Sequence, residues 1–185
     1  MHSLSARANA VFAHASFVIS VVLVLNMLTT WGPFRTPQET DLISGNSSQI
    51  SLRVNKIEKF RQGTDYSGIN DYVIFKFDIV GDLRPAFNWN TKQLFVYIAA
   101  EYSTPKNPLN QVVLWDRIIT LPQKEEALFN VTAVFNDYAL IDQGTGMRGT
   151  NVKLSLNWNT IPVSGLLGWH TGKSIPIQIP KEYIM

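Results

Sequence analysis

The chain has 185 residues, no cysteine, 16 Lys+Arg against 14 Asp+Glu, and 45% hydrophobic and 11% aromatic residues. That length holds one ordinary domain plus an appendage, and the apolar content supports a packed core, which excludes a wholly disordered chain. A net charge of +2 offers no field for a polyanion, so no nucleic-acid partner is expected, and without cysteine neither a disulfide scaffold nor a thiolate-bound metal is possible.

Residues 8–34 contain no Lys, Arg, Asp or Glu, and residues 10–28 are mostly Val, Leu, Ile, Phe and Ala. At 1.5 Å per residue, about 20 apolar residues cross a ~30 Å hydrocarbon core, so this run is long enough to span a bilayer. His14, Ser16, Ser20 and Asn26 interrupt it, and Asn26 and Trp31 are expected in the headgroup zone. A cleaved signal peptide has a shorter apolar region and ends in small residues, whereas Asn26-Met27-Leu28-Thr29-Thr30-Trp31 is a poor cleavage site. The expected organisation is a short cytosolic N-terminus (1–9), an uncleaved transmembrane signal anchor (10–30), a linker rich in Pro, Thr, Ser and Gly (31–49), and a folded domain (50–185) on the far side of the membrane.

After residue 49 the apolar pattern has period two. Ile50, Leu52 and Val54 alternate with polar residues, Val73, Phe75, Phe77 and Ile79 with Tyr72, Ile74, Lys76 and Asp78, and, later, Val152, Leu154, Leu156 and Trp158 with polar residues. Each set reads as a strand with one face in a core. Residues 94–102 and 112–119 are more continuously apolar and read as central strands covered on both sides. A further strand is expected over 129–138, and a short one over 174–179 is pushed to an edge by Pro176. Turns are expected at 61–70, 103–110 and 142–150, and one helical turn at 122–129. Strands without alternating helices predict an all-β fold, an antiparallel β-sandwich preceded by one transmembrane helix.

Candidate chemistry is sparse. Gly144-Thr145-Gly146-Met147-Arg148-Gly149 matches G-x-G-x-x-G, but it leads into a strand instead of a helix, so a hairpin loop explains the glycines. Beyond the span the only histidine is His170, expected to be exposed in the Gly-rich stretch 168–172, and no motif supplies it with a serine nucleophile. No catalytic residue, metal ligand or cofactor site is therefore assigned. Two sequons, Asn46-Ser47-Ser48 and Asn130-Val131-Thr132, are glycosylation candidates. Asn130 is the favoured acceptor, because Asn46 lies close to the membrane. The repeated Asn88-Trp89-Asn90 and Asn157-Trp158-Asn159 suggest a lumenal carbohydrate-binding module as an alternative, although Trp158 falls on the apolar face of its strand, where core packing explains it.

The stretch Asn88-Trp89-Asn90-Thr91-Lys92-Gln93-Leu94-Phe95-Val96-Tyr97, then Ala100-Glu101-Tyr102-Ser103-Thr104 and Leu109-Asn110-Gln111-Val112-Val113-Leu114-Trp115-Asp116, resembles the signal peptidase complex subunit 3 family. Ser5, Arg7, Ala8 and Asn9 before the span, the 144–149 loop, and Leu154-Ser155-Leu156-Asn157-Trp158-Asn159 with Pro162 extend the likeness over nearly the whole chain. The resemblance implies a non-catalytic accessory subunit of the endoplasmic reticulum enzyme that removes signal peptides. It also implies a single-pass, type II membrane protein with a lumenal C-terminal domain, whose partners are the catalytic subunit, other accessory subunits and membrane lipid. The family pattern carries a sequon at the start of the late strand, but here Asn151-Val152-Lys153 lacks the hydroxyl residue, so any glycan has to sit on Asn130 or Asn46.

An apolar helix in lipid has little to select a partner with, so recognition is expected in the β-domain. Asn110, Gln111, Trp115 and Asp116 are the candidate interface, combining amides and a carboxylate with a tryptophan of the kind enriched at hot spots. The alternative is that Trp115 and Val113 fill the core.

Overall fold

The computed structural model describes residues 3–30, 50–65, 68–105 and 107–184; the expected linker, Trp31 and the Asn46 sequon lie outside the described residues. The first element is a helix, α1 (Leu4–Thr29). Ser3 caps it, its hydroxyl accepting from the Ala6 amide at 3.2 Å, so the helix begins six residues before the apolar run. No residue of α1 is buried, and the helix is long and apolar enough to cross a membrane. Two of its hydroxyls are satisfied locally: Ser20 donates to the Ser16 carbonyl at 2.8 Å and Thr29 to that of Asn26 at 2.8 Å. Such self-contained bonding lowers the cost of polar groups in hydrocarbon.

Nine strands follow among the described residues: β1 (Ile50–Asp65), β2 (Gly68–Asp82), β3 (Thr91–Tyr102), β4 (Asn110–Thr120), β5 (Leu128–Phe135), β6 (Leu140–Ile141), β7 (Asn151–Pro162), β8 (Gly168–Thr171) and β9 (Ile175–Gln178). They form two antiparallel sheets. The first runs β1-β2-β5, with β6 also on β2; the second runs β4-β3-β7-β8, with β9 also on β7. Val73, Phe75, Phe77 and Ile79 of the first sheet and Leu94, Val96, Ile98, Leu154, Leu156 and Trp158 of the second share one core. Period-two burial on both inner faces makes the β-sandwich expected from the sequence.

Four local expectations are corrected. The turn expected over 61–70 is narrower: β1 runs to Asp65 and β2 starts at Gly68, Arg61 to Thr64 pairing with Tyr72 to Ile69, because a long ladder along β2 outweighs the local turn composition. The strand β4 is an edge strand, not a central one; its apolar run reflects a bulge opposite Ile98 and Ala99, which turns both Leu114 and Trp115 inward. Residues 168–171 form β8, so His170 is buried instead of exposed. Gly168 permits this close pairing, since a Cβ there would lie 2.1 Å from Thr160 Oγ1. The segment beyond Phe135 leaves β5, and the Tyr138 amide donates to the Leu114 carbonyl at 3.0 Å, closing that side of the sandwich against β4. The helical turn does form, as a 3-10 segment over Leu121–Ala127.

At the end of the domain far from α1, Asp71 is fully buried. Its carboxylate accepts from the Met147 amide at 3.0 Å and the Tyr183 hydroxyl at 2.8 Å. The glycine-rich 144–149 loop is therefore organised around a buried carboxylate, which leaves no cradle for an anion.

Candidate partner interface

The antiparallel register of the second sheet sets its outward side chains in rows. Ile118, Phe95, Asn159 and Trp169 lie side by side across β4, β3, β7 and β8; Asp116, Tyr97, Asn157 and Thr171 form the next row; Val113, Ala99 and Ser155 the third. Trp169 is 69% exposed, Ile118 and Val113 are also exposed, and the rings of Phe95 and Tyr97 stack with centroids 5.2 Å apart. Asn157 and Asn159 are buried between these larger neighbours. The Asn157 amide donates to the Ser155 carbonyl and hydroxyl, whereas Asn159 Oδ1 has no hydrogen-bond partner among the described residues. A contiguous aromatic and aliphatic strip with a buried orphan acceptor at its centre is unusual on a solvated sheet face and characteristic of protein interfaces.

The outward face of the first sheet is different. Arg53, Lys56, Lys59 and Arg61 on β1 stand opposite Asp78, Lys76, Ile74 and Tyr72 on β2. Arg61 lies over the Tyr72 ring at 5.4 Å and Lys76 over Phe135 at 4.9 Å, so the aromatic surface there is already covered by cations. Lys56 pairs with Glu58 at 2.7 Å, and this hydrogen bond holds the Glu58 carboxyl below its usual range. Asn130 is exposed on this sheet, opposite Val80.

The structure separates the four residues expected to form the interface. Asp116 and Gln111 are on the outward face of the second sheet, Gln111 hydrogen-bonded to Glu101 across the β3–β4 pair. Asp116 also engages the Tyr138 hydroxyl, a hydrogen bond that raises the Tyr138 pKa. Asn110 is committed to the turn, its amide donating to the Tyr102 and Asn107 carbonyls at 3.3 Å each. Trp115 belongs to the core, packed edge-on to Phe129 with centroids 6.3 Å apart, because the β4 bulge rotates it inward. Phe95, Tyr97, Ile118 and Trp169, with the buried Asn159 among them, are the outward-facing residues the sequence reading missed. The alternation of β3 held the signal for Phe95 and Tyr97, but Trp169 required knowledge that 168–171 is a strand.

No cluster of His, Cys, Asp or Glu arranged to hold a metal occurs among the described residues. His170 is stacked on Trp158 with ring centroids 5.6 Å apart, its Nε2 3.4 Å from Thr160 Oγ1. Trp158 itself is buried in the core, so it offers no face to a sugar, while Trp89 is exposed in the loop before β3.

Residues 1–182 match the family described as signal peptidase subunit. A protein of Dictyostelium discoideum named signal peptidase complex subunit 3 is 33% identical over 184 residues, spanning 100% of this chain and 98% of that protein. Proteins of the same name from Gallus gallus and Homo sapiens are 38% and 37% identical over 188 residues, each covering 99% of this chain and 97% of the relative.

Proposed function

The chain belongs to the signal peptidase subunit family, and on that premise we propose that it is an accessory subunit of the endoplasmic reticulum signal peptidase complex and does not itself cleave peptide bonds. The observation that carries this reading is the end-to-end likeness to curated subunit 3 proteins, span and domain together. The surroundings of His170 support the non-catalytic part. Its ring is packed on Trp158 inside the sandwich, where a role in folding accounts for it without any nucleophile.

In this reading α1 crosses the membrane with its N-terminus cytosolic, the β-sandwich is lumenal, and the catalytic and other accessory subunits are its partners. The strip formed by Ile118, Phe95, Tyr97 and Trp169 is the surface that meets a partner subunit. An incoming hydrogen-bond donor beside Asn159 would relieve its orphan acceptor, a gain of about 1–3 kcal/mol that a purely apolar partner would not provide. A glycan on Asn130 would occupy the outer face of the first sheet and leave the second sheet unobstructed, which fits this division of faces.

Co-purification from detergent tests the proposal. The tagged chain should bring down a peptidase-active complex, and His170→Ala should leave cleavage intact in every complex that still assembles. Loss of turnover at unchanged assembly would make the chain catalytic, and recovery of the chain without any peptidase would remove it from the complex.

A further inference from the structure

The loop between β7 and β8 is tied both to the helix and to the loop before β3. The Asn90 amide donates to Thr30 Oγ1 at 3.1 Å and to the Ser164 carbonyl at 2.9 Å, while its Oδ1 accepts from the Ser164 amide at 3.1 Å. The Val163 amide donates to the Asn90 carbonyl at 2.7 Å, and Ser164 Oγ lies 3.5 Å from the Leu23 carbonyl. Gly165, with φ of +110°, packs so closely on Met27 that a Cβ would come within 2.9 Å of its Cγ. A buried asparagine thus clamps two loops of the domain onto the last two turns of α1.

These loops carry an apolar, charge-free set of side chains pointing away from the domain: Trp89 is 62% exposed, Val163 64%, Leu166 75% and Leu167 40%. The apolar run of α1, residues 10–28, is about 28 Å long at 1.5 Å per residue and so fills the ~30 Å hydrocarbon layer. Leu23 then lies roughly 7 Å inside the point where the run ends. Loops that touch Leu23 and Met27 are therefore at or below the level at which the helix leaves hydrocarbon. Leucines with a tryptophan beside them are the composition that partitions into that zone.

We propose that residues 163–167 and Trp89 insert into the bilayer leaflet on the domain's side, forming a lipid-embedded collar beside α1. The collar fixes the height and tilt of the sandwich on the membrane, and with them the direction in which the outer strip of the second sheet faces. This rests on reading α1 as a membrane span. The occupant is lipid, because the collar is continuous with the lipid-facing surface of the helix.

The cysteine-free sequence permits a direct test. Single cysteines replacing Val18 (in α1), Leu166 and Leu109 are labelled with an environment-sensitive fluorophore in the full-length protein. Leu109 is exposed in the turn at the opposite end of β3, roughly 35 Å away along the strands. The proteins are placed in phosphatidylcholine nanodiscs with and without nitroxide-labelled lipid, and circular dichroism checks that each retains its fold. Labels at 18 and 166 should emit at shorter wavelength than the label at 109 and lose most of their intensity to the lipid-borne quencher, while 109 is unaffected. If 18 is quenched and 166 behaves like 109, the span stands and the collar is wrong. If 18 escapes quenching, the span reading fails and the collar with it. A label at 166 that is blue-shifted but protected from the quencher, in nanodiscs or in the purified complex, would mean that protein covers the loop and would equally overturn the inference.

Discussion

Removing one acceptor from the buried carboxylate of Asp71 should destabilise the domain by an amount that its hydrogen bonds set. Asp71 joins three segments remote in sequence: β2, the 144–149 loop through Met147, and the C-terminal segment through Tyr183. Its backbone amide also donates to the Gly144 carbonyl at 2.7 Å, and its carbonyl accepts from the Asp142 amide at 3.1 Å. Arg148 reinforces the site from outside, its guanidinium donating to the Tyr183 hydroxyl and lying 4.4 Å from that ring centroid. Hydrogen bonds to a charged group contribute about 1.5–3 kcal/mol each. Asp71→Asn keeps one oxygen and presents an amide donor to the other partner, so about 2 kcal/mol should be lost. Asp71→Ala strands both donors in a buried site and should cost about 3–5 kcal/mol, a large part of the 5–15 kcal/mol that holds a typical domain together. Tyr183→Phe removes one bond to Asp71 and two from Arg148, and in a double-mutant cycle with Asp71→Asn should show a coupling of about 1 kcal/mol or more. Chemical denaturation of the full chain in detergent, followed by the emission of the buried Trp115 and Trp158, measures all three quantities. The reasoning is refuted if Asp71→Asn lies within about 0.5 kcal/mol of wild type or is more stable than it, since that is the range of surface changes touching no such network.

Gly168→Ala would place a Cβ 2.1 Å from Thr160 Oγ1 and should lower stability by about 1–3 kcal/mol through overpacking, seen as a depressed melting temperature with β8 displaced from His170 protection. Asp82, bonded to Arg84 at 2.8–2.9 Å, has its carboxyl pKa lowered mainly by that hydrogen bond; its contribution is present above the unfolded value of 3.8 and is lost as pH falls through the lower folded value. Denaturation midpoints of Asp82→Asn should accordingly vary less than those of wild type as the pH is taken below 3.8, and an unchanged acid limb would contradict this. Asn130→Gln should abolish a glycosidase-sensitive mobility shift that Asn46→Gln leaves in place. Ile118→Asp combined with Trp169→Ala, both exposed, should weaken recovery of the other subunits at least severalfold while leaving the melting temperature close to wild type.

The sequence by itself determined the elements whose cause is local. A charge-free apolar run of this length is enough to cross a bilayer, so an N-terminal apolar helix long enough to span was legible as composition alone. The inward sets on β2, β3 and β7 were legible because the pleat alternates side chains at a fixed period of two. Whole-chain similarity then made the family legible, a matter of residue order and spacing and not of physics. What the sequence left open was everything that depends on which strands become neighbours. Whether Trp115 faces a partner or the core turned on one bulge in β4, set by its pairing with β3. His170 read as an exposed loop residue because three residues between glycines carry too little pattern to announce a strand; pairing with β7 buries it. The outer strip of Ile118, Phe95, Asn159 and Trp169 draws on four strands, one residue from each, so no window of sequence contains it. The collar beside the helix likewise joins residues more than seventy positions apart through Asn90. Period and hydropathy act over a few neighbouring residues, whereas a surface is assembled by register between distant ones, and register is decided only when the strands meet.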